Sequence, residues 1–62
     1  MRKLLVRDLI EIQDAETNRQ EYVAVALALG ITLEELMDKP AKEFFTWRDQ
    51  VITENGLGSS LP

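Results

Sequence analysis

The sequence predicts an all-α fold, a compact array of three main helices plus one short helix. Three observations carry this reading. Apolar residues recur at three- and four-residue spacing through most of the chain. Gly30, Pro40 and Asn55-Gly56 fall where such runs stop or start. The links left between the runs are only two to four residues long, which favours helices packed on their sequence neighbours. With 62 residues there is room for one domain, expected over residues 1–56. Residues 57–62, LGSSLP, have the composition of a flexible tail.

The first helix is expected from Val6 to Glu16. Leu5, Leu9, Ile12 and Glu16 form one line along it, with Val6, Ile10 and Gln13 beside it. Asp8 and Glu11 lie in its first turns, where they suit the positive end of the helix dipole. Thr17-Asn18 breaks the pattern, and Thr17 with Gln20 resembles a capping box. The second helix is expected from Asn18 to Leu29. Its apolar residues wrap more than one stripe, so it reads as the central, most buried element. The alanines at 24, 26 and 28 let neighbours approach closely. Gly30 stops it in the left-handed conformation that costs glycine little.

Thr32 and Glu35 form a second capping-box signal, with Ile31 placed to staple onto Leu36. The short helix they start ends by Met37 or Asp38. Pro40 cannot continue it but suits the first turn of a fourth helix, expected from Pro40 to Glu54. That helix carries Phe44, Trp47 and Val51 on one line and Ala41, Phe45 and Ile52 on another. A strand at Lys3–Val6 would have nothing to pair with.

Composition narrows the function. The chain has no cysteine and no histidine. The usual general base and the usual thiol nucleophile are therefore missing, and so are nearly all structural zinc ligands. No calcium-loop spacing and no glycine-rich phosphate loop occurs. The carboxylates at Glu11, Asp14, Glu16 and Glu21, and again at Glu34, Glu35 and Asp38, read as solvated faces. The expectation is a protein that is not an enzyme and uses no cofactor or metal. Tyr22–Ile31, the longest apolar run, is too short for a bilayer, which needs about 20 apolar residues. Met1–Val6 begins like a signal peptide, but Arg7, Asp8 and Glu11 interrupt it. A cytoplasmic location follows as the expectation, with no membrane contact.

The net charge of −4 is uneven. Arg2, Lys3 and Arg7 make the first seven residues basic, whereas residues 8–38 hold eight acids and one base, Arg19. An acidic middle repels phosphate backbones. The string ALALGITLEELMDK resembles the end of a phage-repressor-type helix-turn-helix, so a small DNA-binding regulator stands as an alternative. Yet Glu34, Glu35 and Asp38 occupy the stretch where a recognition helix carries bases or amides.

The aromatics suggest a contact surface. Phe44 and Trp47 share one face of the fourth helix, and Phe45 turns away by about 100 degrees. They are either core or part of a groove that accepts a helix from another protein. If they line a groove, Tyr22, Met37, Phe44 and Trp47 are the candidate partner-binding residues. Surplus aromatics also allow self-association without fixing its symmetry.

VRDLIEIQ (6–13) and ALALGITLEELMDKPAKEF (26–44), in that order, resemble the phage tail assembly chaperones. The shared pattern covers about two thirds of the chain and consists of apolar, helical motifs. The resemblance implies a small helical protein, made in a bacterial host, that acts without chemistry. It implies a role in building the tail of a long-tailed phage or prophage, by binding the long, largely helical tape-measure protein and keeping it soluble. A generic helical protein-interaction module remains the other alternative.

Overall fold

A computed structural model of the chain describes residues 2–56. The tail expected over 57–62 lies outside the described residues. Among the described residues four α-helices form: α1 (Val6–Asp14), α2 (Gln20–Leu29), α3 (Leu33–Met37) and α4 (Ala41–Asn55). A 3-10 turn, Thr17–Arg19, leads into α2. Among the described residues there is no strand. The expected all-α array of three main helices and one short helix is what the chain adopts.

α2 sits at the centre and packs against each of the other three helices. Its small side chains explain how. Ala24, Ala26 and Ala28 are buried with Val25, which has no exposed surface at all. Ile12 of α1, Leu36 of α3 and Val51 of α4 complete the buried cluster around them. Leu4, Val23, Leu27, Leu29, Ile31 and Leu33 pack on it from outside.

Two glycines end helices in the left-handed region, Gly30 at φ 74° and Gly56 at φ 66°. A Cβ at either position would meet nothing within 4 Å. The requirement is thus conformational, since a side chain disfavours positive φ. After α2 the Gly30 N–H donates to the Leu27 carbonyl at 3.2 Å and the Ile31 N–H to the Ala26 carbonyl at 3.1 Å. This is the Schellman arrangement, which satisfies carbonyls the helix leaves open. At Thr32 the hydroxyl accepts from the Glu35 N–H at 3.1 Å. The hydroxyl also donates to the Glu35 carboxylate at 3.4 Å, so the expected cap forms and α3 begins on it.

Three boundaries differ from the sequence reading. α1 ends at Asp14 rather than Glu16, because Ala15 (ψ 157°) and Glu16 (ψ 144°) are extended. The Thr17–Gln20 capping box does not form. Thr17 is already the first residue of the 3-10 turn, and no side chain caps that turn. Pro40 precedes α4 in an extended conformation, φ −60° and ψ 133°, instead of occupying its first turn. Its carbonyl accepts from the Glu43 and Phe44 N–H groups at 3.1 and 3.3 Å.

The N-terminal residues form a strap over the helix ends. The Arg2 N–H donates to the Ala28 carbonyl at 3.1 Å. The Leu4 N–H donates to the Asn55 side-chain carbonyl at 3.0 Å, and the Asn55 amide donates to the Val51 carbonyl at 3.0 Å. The Leu5 N–H donates to the Asp8 carboxylate at 2.7 Å. Asp8 is only 4 % exposed and also takes an ion pair from the Arg2 guanidinium at 3.0 Å. The Arg2 hydrogen bond, first, and then the Leu5 N–H hold its carboxyl below the ordinary value of 3.8. What the sequence shows as an acid suited to a helix dipole is therefore a buried clasp at the start of α1.

A depressed carboxyl pKa stabilises the fold above its unfolded value, and that contribution is lost as pH falls through the folded pKa. Asp8→Asn should lower the denaturation midpoint at pH 7, and the gap to the parent should close as pH falls below about 4. A gap that persists in acid, measured by urea unfolding at several pH values, would assign Asp8 a packing role instead. The small face of α2 makes a separate prediction. Ala26→Leu should cost about 1–3 kcal/mol by overpacking, read from the same unfolding curves.

Candidate functional site

Three elements frame a cleft on one side of the array. The first turns of α2 supply Glu21 and Tyr22. α3 supplies Leu33, Leu36 and Met37, and the start of α4 supplies Ala41, Phe44, Phe45 and Arg48. Lys39 closes the end between α3 and α4. The cleft holds about 330 Å³. A second hollow of about 440 Å³ shares Tyr22, Leu33 and Met37 and continues towards Asn18 and Arg19. Those three apolar side chains are the ridge between the two.

The local order of the chain explains the placement. Gly30 reverses α2, Thr32 starts α3 at once, and Pro40 restarts the chain as α4. α3 has only five residues. It buries Leu36 and leaves Met37 64 % exposed, so its far face becomes a wall of the cleft. Across from it the aromatics form a continuous row. The Tyr22 and Phe44 rings stack at 4.9 Å between centroids. Phe44 meets Phe45 edge-on at 5.9 Å. The Arg48 guanidinium lies over the Phe45 ring at 5.3 Å and donates to the Glu21 carboxylate at 3.5 Å, tying α4 to α2 at the rim. An exposed ion pair of this kind contributes little, about 0–1 kcal/mol. Its use is to hold the rim side chains in place.

Of the four candidate residues, the structure brings Tyr22, Met37 and Phe44 together around this cleft. Trp47 is not among the lining residues. It is half-buried and packs against the core cluster. Phe45, the aromatic that turns away from Phe44 on the helix, is 54 % exposed and lines the cleft instead. Reading α4 by itself could not select among its aromatics. The deciding facts are the stacking of Phe44 on Tyr22 from another helix and the position of α3.

The chemistry of the cleft is apolar, with charges only at its edges. Among the described residues no three acidic side chains gather to hold a metal ion. Thioether, aliphatic and aromatic groups on three helices suit the apolar side of a fourth helix, which is the usual way a groove captures an amphipathic partner. The stretch after Gly30 has the turn of a helix-turn-helix. Yet α3 is short, and Glu34, Glu35 and Asp38 are exposed on and just after it. Among the described residues, no helix is long and apolar enough to cross a membrane.

The arrangement separates two kinds of aromatic substitution. Trp47→Ala should destabilise the fold by roughly 1–3 kcal/mol, less than a fully buried aromatic would. Phe45→Ala and Met37→Ala should stay within about 0.5 kcal/mol of the parent. Thermal or urea unfolding of the three variants checks the order.

Comparison of the chain with known protein families, with curated proteins and with solved structures finds no match.

Proposed function

We propose that this protein is a non-enzymatic tail assembly chaperone of a phage or prophage, which binds a helical segment of a tape-measure protein during assembly. The observation that carries the reading is the cleft between α2, α3 and α4, with exposed Met37 and Phe45 beside the stacked Tyr22–Phe44 pair. Exposed side chains of this size gathered on one side of so small a domain are a binding surface more often than an accident of packing. The resemblance of residues 6–13 and 26–44 to the tail assembly chaperones supports the choice of partner.

The mechanism asks for no reaction. A tape-measure chain is long and helical, and its apolar stripe aggregates when it meets water. The cleft offers apolar contact for one stretch of that stripe, while the acidic surface of the chaperone keeps the complex apart from its neighbours. Lys39 lies at the α3–α4 end of the cleft and the Arg48–Glu21 ion pair at its α2–α4 rim, so charge is confined to the edges of the groove. Leu36, which lines the cleft, and Trp47 and Val51 behind it are held by the core and keep its walls fixed.

Co-expression with the tape-measure protein of the same phage tests this. The parent protein should hold the tape-measure chain in the soluble fraction and copurify with it after nuclease treatment. A double variant, Met37→Ala with Phe45→Ala, should keep its helical spectrum and bind at least tenfold more weakly, about 1.4 kcal/mol or more. A tape-measure chain that stays soluble without this protein, or equal capture by the double variant, would refute the reading. Salt-sensitive duplex binding at about 50 mM salt would favour the DNA regulator instead.

A further inference from the structure

α1 presents a second apolar surface, separate from the cleft. Its inward side buries Ile12 and Asp8, whereas Leu5 (52 % exposed), Val6 (73 %), Leu9 (37 %) and Ile10 (56 %) remain in contact with water. At 100° per residue these four span about 140° of one helical face. None of them lines the cleft. A helix that buries two residues and exposes four large apolar ones is amphipathic in the wrong sense for an isolated monomer.

The charges beside that face say what covers it. Arg7 lies near the start of α1 and Asp14 at its end, on the same flank of the apolar strip, with Glu11 next to them. All three side chains are exposed, and among the described residues none forms an ion pair. A base at one end and acids at the other are complementary to themselves when the helix is reversed. We infer that the exposed face of α1 binds the same face of a second copy of this chain, with the two helices antiparallel about a two-fold axis between Leu9 and Ile10.

In that arrangement Leu9 meets Ile10 of the second copy and Val6 meets its Gln13. At about 1.5 Å rise per residue, Arg7 comes level with the stretch between Glu11 and Asp14 of the second copy. The contact occurs twice, as a two-fold interface demands. Parallel pairing about a two-fold axis would put the charged flanks of the two copies on opposite sides of the interface, so Arg7 would meet neither Glu11 nor Asp14 of the second copy. The two copies keep their α2–α3–α4 clefts outside the interface. The inference therefore does not depend on what the cleft binds.

Sedimentation equilibrium of the full chain from about 10 µM to about 1 mM covers the range in which a small interface associates. The parent should pass from the mass of one chain to that of two. Ile10→Glu is at an exposed position and should keep the helical spectrum while raising the midpoint concentration at least tenfold. Arg7→Glu alone, and Glu11→Lys with Asp14→Lys, should each remain monomeric. Their equimolar mixture should form a heterodimer at concentrations where neither associates alone. A parent that stays monomeric at about 1 mM overturns the inference, as does a dimer that Ile10→Glu leaves intact or a mixture that does not pair. A dimer broken by Phe45→Ala instead would place self-association in the cleft and equally overturn it.

Discussion

The side chains at positions 24, 26 and 28 are alanines, and the helix that carries them is touched by every other helix in the molecule. Closeness of approach is the constraint from which the rest follows. A domain of this size has little volume for a core, so its packing has to come from short interhelical distances rather than from many large side chains. Val25, fully enclosed, marks where α2 has no solvent side at all. Because α2 takes up so little width, Ile12, Leu36 and Val51 can all reach it from three helices. The same economy leaves the larger apolar groups nowhere to go. Tyr22, Met37 and Phe45 are displaced to one side of the array, and Val6 and Ile10 to another. The exposed apolar patches of this protein are, in that sense, what its core could not hold.

The parts of the fold that rest on local chemistry were legible in the sequence. Gly30 and Gly56 had to end helices because the turns there require positive φ, and Thr32 had to start one because its hydroxyl reaches the Glu35 N–H. The centrality of α2 was legible from apolar residues on all its sides. What escaped reading is non-local. Thr17 carries the residues of a cap but enters the 3-10 turn one place too early to act as one. Asp8 looked like one acid among several on α1, because its partners, Arg2 and the Leu5 N–H, are set by the path of the strap. The amphipathic spacing of α1 does not show which side is covered: only Asp8 and Ile12 are buried, and Leu5, Val6, Leu9 and Ile10 face water.

The candidate site shows the same division. Helical spacing separated Phe45 from Phe44 and Trp47 correctly, but angle alone does not say which direction is water. Phe44 is held by a ring on α2, Trp47 by the core, and Phe45 is left to the cleft. Only the placement of α3 distinguishes these outcomes, and α3 is placed by Gly30 and Pro40, the turn residues on either side of it. A cleft assembled from three helices is invisible to any reading that treats helices one at a time.

The bond from the Leu4 N–H to Asn55 joins positions 51 residues apart. All the helix pairs it encloses can form with far shorter loops, and loop closure over a long segment is entropically costly. Contacts of that kind arise late on the way to the native state and act mainly on the rate of leaving it. The strap thus governs the lifetime of the folded protein more than the speed of its formation.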